Sequence, residues 1–220
     1  MDPTKIPQAK AFTPQDESDP LSSYSPQNKP EGSNNGFLRS LGSHLADFIQ
    51  TVVVFGAIFA LIYLFVAQPH KVSGLSMFPT FNNGDYILTD KLTYRFNQPQ
   101  RGDVIVLKNP RDESQDFIKR IIGLPGETIK IANDKVLING KVLEEDYLPN
   151  RTTTPSGNFL GEDDLIKIPE NHYMVIGDNR PHSSDSREWG GVTKQEIIGK
   201  VLFRYWPPQS FGLIKHRPSD

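Results

Sequence analysis

The sequence predicts a mainly β fold: a single N-terminal transmembrane helix followed by an antiparallel β domain, closed as a barrel or folded into paired sheets. Three observations lead there. The 20 residues Phe48–Ala67, FIQTVVVFGAIFALIYLFVA, carry no charge. Beyond them, short runs of β-branched and aromatic residues alternate with turn signals, and few stretches keep helical periodicity for about ten residues.

Three parts follow in chain order. Residues 1–47 are expected as a disordered tail. Their first 36 residues hold 6 Pro, 5 Ser and 2 Gly but only five large apolar side chains (Met1, Ile6, Phe12, Leu21 and Tyr24), too little apolar surface to offset chain entropy. The tail has three Lys, no Arg and five acidic residues among those 36, unlike an Arg-rich, acid-poor transit peptide. Residues 48–67 are expected as an uncleaved anchor, broken only by Gln50, Thr51 and Gly56. At 1.5 Å per residue such a helix spans about 30 Å, a bilayer's hydrocarbon core. A secretory signal peptide would begin near residue 1 and have a shorter apolar region. Arg39 and His44 before the span nearly balance His70 and Lys71 after it, so flanking charge does not orient it.

Residues 68–220 suffice for one well-packed domain. Strands are expected at Tyr86–Thr89, Val104–Lys108, Phe117–Ile122, Thr128–Ile131, Lys135–Ile138, Lys141–Leu143, His172–Ile176 and Gly199–Trp206. Asn139-Gly140 between two apolar runs predicts a tight hairpin. Gly84-Asp85, Gly102-Asp103 and Gly177-Asp178 read as turns, and 150–164 as a surface loop.

Composition narrows the chemistry. The chain has no cysteine, which excludes disulfide scaffolds, cysteine peptidases and thiolate metal sites. With 24 Lys and Arg against 26 Asp and Glu it lacks the global basic field that favours nucleic acid. There is no HExxH and no glycine-rich phosphate loop, and the histidines at 44, 70, 172, 182 and 216 are scattered rather than set at metal-ligand spacing. Serine and threonine remain as nucleophile candidates.

Three segments could carry chemistry. In Val72-Ser73-Gly74-Leu75-Ser76-Met77-Phe78-Pro79-Thr80, Ser76 lies between a glycine and a proline on a tight turn, which can present a hydroxyl and expose backbone N–H groups. An ordinary turn fits this segment equally well. In Asp116–Glu127, strand alternation puts Phe117, Lys119 and Ile121 on one face and Ile118, Arg120 and Ile122 on the other. One cation must therefore share a face with bulky apolar groups. A buried lysine can lose its proton near neutral pH and act as a base, which arginine cannot do. A lysine snorkelling from an edge strand is the plainer alternative. The third segment, Gly177–Gly190, is dense in polar groups directly after an apolar run, and can brace a site or form a solvated turn.

Together these segments resemble the type I signal peptidases, membrane-bound Ser-Lys proteases. The resemblance is carried by SGLSMFPT, GDYILTDKL, RGDVIVLK, IKRIIGLPGE and GDNRPHSSDSREWG, in the family's order across residues 72–190. It implies Ser76 as nucleophile, Lys119 as general base, Ser183 as the hydroxyl orienting the lysine amine, and Asp185 with Arg187 as a stabilising pair. Where some members have an oxyanion-hole serine, this chain has Gly74, and Ser73 is out of register for that role. The hole would then rest on the Ser76 N–H and one further donor the sequence does not identify.

The resemblance also implies the substrate: signal peptides of exported preproteins, bound as an extended strand, with small residues at the first and third positions before the scissile bond. Met77, Phe78, Ile87 and Leu88 are candidate pocket residues. No metal or cofactor is implied, and no nucleic acid. The expected location is the bacterial plasma membrane or a thylakoid membrane, with the N-terminus cytoplasmic and the catalytic domain on the other side. The lipid bilayer is a second expected partner, met by aromatics such as Trp206. The stretch between Lys119 and Ser183 leaves little room for the large extra β subdomain of some members. A self-cleaving relative of phage-type repressors would instead carry a DNA-binding head and no span. An inert membrane-tethered binding module would not need both Ser76 and Lys119.

Overall fold

The computed structural model describes residues 35–216, which fall into two units divided between Thr51 and Val52. Helix α1 runs Asn35–Phe65. The most apolar 18-residue window within its His44–Phe65 stretch has a mean hydropathy of 2.4, and among the described residues this is the one helix long and apolar enough to cross a membrane. The helix starts well before Phe48, so the part of the expected tail from Asn35 onward is helical; residues 1–34 lie outside the described residues. Leu38, Leu41 and Leu45 already recur at helical spacing ahead of the apolar run. The helix also stops short of Ala67, which opens a strand.

Twelve strands follow: β1 (Ala67–Lys71), β2 (Tyr86–Asp90), β3 (Val104–Asn109), β4 (Asp112–Gly123), β5 (Thr128–Ala132), β6 (Lys135–Ile138), β7 (Lys141–Val142), β8 (Ile166–Lys167), β9 (His172–Ile176), β10 (Val192–Thr193), β11 (Ile197–Trp206) and β12 (Gly212–Leu213). All eight expected runs form strands. The four not expected are short, and β1 contains Pro69, which weakens its strand signature. The larger sheet has the order β1-β2-β11-β3-β4-β9-β10, with β12 beside β11, and its neighbours pair antiparallel. A smaller sheet, β7-β6-β5-β8, occupies the stretch between Lys119 and Ser183. Asn139 and Gly140 both adopt positive φ, +49° and +77°, and close the β6–β7 hairpin as a two-residue turn.

Strand β4 organises the core. Ile118 packs with Val72, Met77, Phe81 and Val106 beneath the serine turn. Ile121 joins Ile105, Leu107 and Val175 in a second cluster, and Ile122 joins Ile129, Ile131 and Leu160 under the smaller sheet. From Ile118 to Gly123 the strand is buried without alternation, because both of its faces are covered. The alternation required at least one of its two cations to share an apolar face, and both are enclosed: Lys119 is 3% exposed and Arg120 1%.

Candidate active site

The serine turn follows β1 directly. Its base is pinned to the start of β2 by Val72 N–H to Asp85 O (2.8 Å) and Gly84 N–H to Val72 O (2.9 Å). Inside the turn, the Gly74 N–H donates to Asn83 Oδ1 at 3.0 Å, and the Phe78 N–H to Leu75 O at 3.1 Å. Met77 drops into the core while Ser76 stays partly exposed. The turn thus stands on a packed apolar foot and lifts a hydroxyl at its rim.

Lys119 approaches from β4. Its Nζ lies 3.0 Å from Ser76 Oγ and donates to Ile118 O at 3.0 Å, with the Phe117 ring centroid 4.9 Å away. Among the described residues it forms no ion pair. Burial pushes the lysine pKa down to about 8, with opposing contributions from the charges of Asp185, which raises it, and Arg187, which lowers it. The neighbouring Arg120 has a different environment. Its Nε and Nη2 donate to Asp178 at 2.9 and 2.7 Å, and Nη1 donates to Gly102 O at 2.9 Å. Adjacent cations on one strand are thus distinguished by having, or lacking, a carboxylate partner.

The loop after β9 closes over the turn. Asp185 is fully buried and accepts from Arg187 Nε (2.7 Å), Arg187 Nη2 (2.8 Å) and the Gly177 N–H (3.0 Å). Arg187 in turn donates to Arg180 O at 2.7 Å and Pro155 O at 2.9 Å, so the expected pair binds its own loop and the 150–164 segment together. Ser183 lies close by, but its buried hydroxyl makes no hydrogen bond among the described residues, so the expected contact with the Lys119 amine is not made here.

A cleft of about 340 Å³ runs from His70 to Ser76 and is bounded opposite by Asp116–Lys119. Of the four pocket candidates, Ile87 lines it. Leu88 is next in the strand and faces the other side, Met77 is in the core, and Phe78 lines a separate cavity with Pro79 and Asn179. Val72, Val106 and Ile118 form apolar wall that sequence reasoning missed, because pairing across strands decides which alternate residues meet. Two other residues were also missed: Gly177, read as a turn, and Asn179, whose N–H donates to Ser76 O at 3.0 Å. Their signal was the GDN run itself.

A serine hydroxyl set against a buried amine in an open cleft of a mainly β domain is an arrangement suited to serine-hydrolase chemistry. A family model described as signal peptidase, peptidase S26, matches residues 45–206. The chain is 38% identical over 185 residues to a signal peptidase I of Leptolyngbya laminosa, covering 80% of this chain and 87% of that one. It is 37% identical to a probable signal peptidase I-1 of Synechocystis (70% and 79% covered) and 31% identical to a signal peptidase IB of Staphylococcus aureus (78% and 93% covered). A crystal structure of a signal peptidase I from Enterococcus faecalis V583 superposes with a TM-score of 0.40 at 35% identity, covering 47% of this chain and 97% of that one. The chain belongs to the signal peptidase family, peptidase S26.

Two outcomes test this geometry. A Cβ at Gly177 would sit 2.5 Å from Ser76 O and collide with the Ser183 side chain, so Gly177→Ala should displace the serine turn and lower peptidase activity by about 10² or more. Near-wild-type turnover would show that the turn tolerates the displacement. Below pH 8 the folded protein holds a charged Lys119 amine out of water. Between about 8 and the ordinary 10.5 the unfolded chain binds a proton the folded one lacks, so stability rises with pH there. Lys119→Met should therefore stabilise the protein in detergent by about 2–3 kcal/mol at pH 6, a gain that fades toward pH 10.5 in thermal unfolding.

Proposed function

We propose that this chain is a membrane-bound endopeptidase that removes N-terminal signal peptides from exported preproteins, using Ser76 as nucleophile and Lys119 as general base. The observation that carries this reading is the 3.0 Å approach of a buried, unpaired amine to a rim-exposed hydroxyl. The neutral Lys119 amine takes the Ser76 proton as Oγ attacks the scissile carbonyl. Negative charge on the carbonyl oxygen is met by the Ser76 N–H, which makes no other hydrogen bond among the described residues. The lysine ammonium then protonates the departing amine, and the acyl-enzyme is cleared by a water that Lys119 deprotonates. Asp185 and Arg187 hold the loop over the site, and Ser183, whose buried hydroxyl has no hydrogen-bond partner among the described residues, is assigned the role of orienting the amine.

Substrate binding follows from an unpaired edge. Strand β4 pairs with β9 only from Arg120 onward, so along Asp116–Lys119 that edge carries no paired strand among the described residues, and an extended peptide can add there. The wall of Val72, Ile87, Val106 and Ile118 leaves shallow apolar space that favours small residues before the scissile bond. Helix α1 serves as the anchor, with the N-terminus cytoplasmic and the β domain across a bacterial plasma or thylakoid membrane. Trp206 is 53% exposed, with Phe211 and Leu213 exposed close by on the chain, and this patch rests in the lipid interface.

Cleavage of a signal-peptide substrate tests the dyad. Ser76→Ala, Lys119→Ala and Lys119→Arg should each lose nearly all turnover, and the double alanine variant should be no slower than either single one, because the two residues act as a unit. Wild-type kcat/KM should rise with pH through about 8, where the amine loses its proton. Turnover by Lys119→Arg, or loss of that limb in His182→Ala, would reassign the base. For the lipid contact, a chain beginning at Phe65, which keeps β1 intact, should bind anionic vesicles weakly, and Trp206→Ala should reduce that binding more than it reduces peptide turnover. Unchanged vesicle binding would remove Trp206 from the interface.

A further inference from the structure

The peptide unit joining Leu75 to Ser76 carries the Ser76 N–H at one end and the Leu75 carbonyl at the other. Because that unit is planar and trans, the two groups point in opposite directions, and fixing one fixes the other. The Leu75 carbonyl is held twice, by the Phe78 N–H at 3.1 Å and by Asn179 Nδ2 at 3.0 Å. The next carbonyl, of Ser76, accepts the Asn179 backbone N–H at 3.0 Å. One residue from the loop after β9 thus grips both carbonyls flanking the Ser76 backbone, across 104 positions of sequence in the case of the side-chain bond.

Asn179 is itself held. Its carbonyl accepts the His182 N–H at 2.9 Å. On its other side, Asp178 is tied to Arg120 and accepts from Thr80 Oγ1 at 2.5 Å, and Thr80 lies just beyond the serine turn. Gly177 brings the backbone close enough for both bonds to form. The brace is therefore anchored to β4, the strand that carries Lys119.

We propose that Asn179 is a positioning residue for the oxyanion hole: by holding the Leu75 carbonyl, its side-chain amide aims the Ser76 N–H at the place where the oxyanion develops. The inference rests on the reading of Ser76 as nucleophile. It bears on the glycine at position 74 of this chain. With Gly74 in place of a side-chain donor, and the Gly74 N–H already engaged by Asn83, the aim of the Ser76 N–H matters more. Bonds accepted by a carbonyl also polarise its amide and strengthen the opposite N–H as a donor. The role requires a donor at this atom. An aspartate would set two acceptors face to face, so the isosteric change should be worse than truncation.

The full chain in detergent, with a signal-peptide substrate, provides the test. Asn179→Ala should lower kcat by about 10-fold to 10²-fold, less than outright removal of an oxyanion donor, and Asn179→Asp should lower it further. KM should stay within about threefold, and the acid limb of the pH profile should not move. A peptide aldehyde reports the hole directly: Ser76 Oγ bonds to the aldehyde carbon, its proton passes to Lys119, and the carbonyl oxygen becomes the oxyanion. Aldehyde affinity should fall by the same factor as kcat, while affinity for a peptide with a reduced scissile bond stays unchanged. A kcat for either variant within twofold of wild type would overturn the proposal. So would a loss shared equally by the two peptides, or a shifted pH limb. If Asn179→Ala does not fold, Asn179→Asp, which keeps the shape and the backbone bond to Ser76, decides alone. Ser76→Ala run in parallel separates the two readings. If it is active, the nucleophile assignment fails; if it is inactive while the Asn179 variants are unimpaired, only this proposal fails.

Discussion

Burial of β4 on both faces is the constraint from which the site follows. A strand covered on one side can turn a cation toward water, but β4 cannot from Ile118 onward, and it carries two cations in succession. Arg120 meets that constraint with a carboxylate and a backbone carbonyl. Among the described residues Lys119 has no carboxylate partner, and burial lowers its pKa to about 8, so the amine gives up its proton well before a solvated lysine would. An amine beside a hydroxyl that deprotonates more easily than a solvated lysine is thus the outcome of packing by Ile118, Ile121 and Ile122 into three separate clusters, with burial as the largest cause.

The same strand couples the two chain segments that meet at the site. Arg120 reaches Asp178, Asp178 neighbours Asn179, and Asn179 holds the turn that presents Ser76. The hydroxyl and the amine are thereby referenced to one rigid element through short paths. On the proposed reading that matters, because a misplacement of about 1 Å between nucleophile and base can cost about 10² in rate. The Asp185–Arg187 pair acts one step further out, fixing the loop's return to the 150–164 segment through Pro155.

Much of this was legible in the sequence, and what was not has definite physical causes. Strand runs such as Val104–Lys108 and the Asn139-Gly140 hairpin declare themselves through local propensity and turn chemistry, and both formed as expected. β1 did not declare itself, because AQPHK has little strand propensity and is ordered by pairing with β2. The early start of α1 is masked in the sequence by Arg39, His44 and Asp47, which break the apolar run ahead of Phe48 without breaking the helix. Ser76 and Lys119 stood out through their blocks, but the cleft wall did not: Ile87 and Leu88 are equally apolar, and only the sheet's pairing decides which faces the cleft.

Gly177 and Asn179 show where single-sequence reading stops. Glycine beside aspartate reads as a turn from local conformation, yet at Gly177 what matters is the space occupied by Ser76 O, an atom about a hundred residues away along the chain. The side-chain amide of Asn179 is likewise indistinguishable from any loop asparagine until its partner carbonyl is known. Both residues act on the backbone of the serine turn, and backbone groups leave no trace in side-chain pattern. A site whose oxyanion donor is a main-chain N–H therefore conceals its positioning residues more thoroughly than its nucleophile and base. Those residues are found by asking what holds each carbonyl next to the nucleophile.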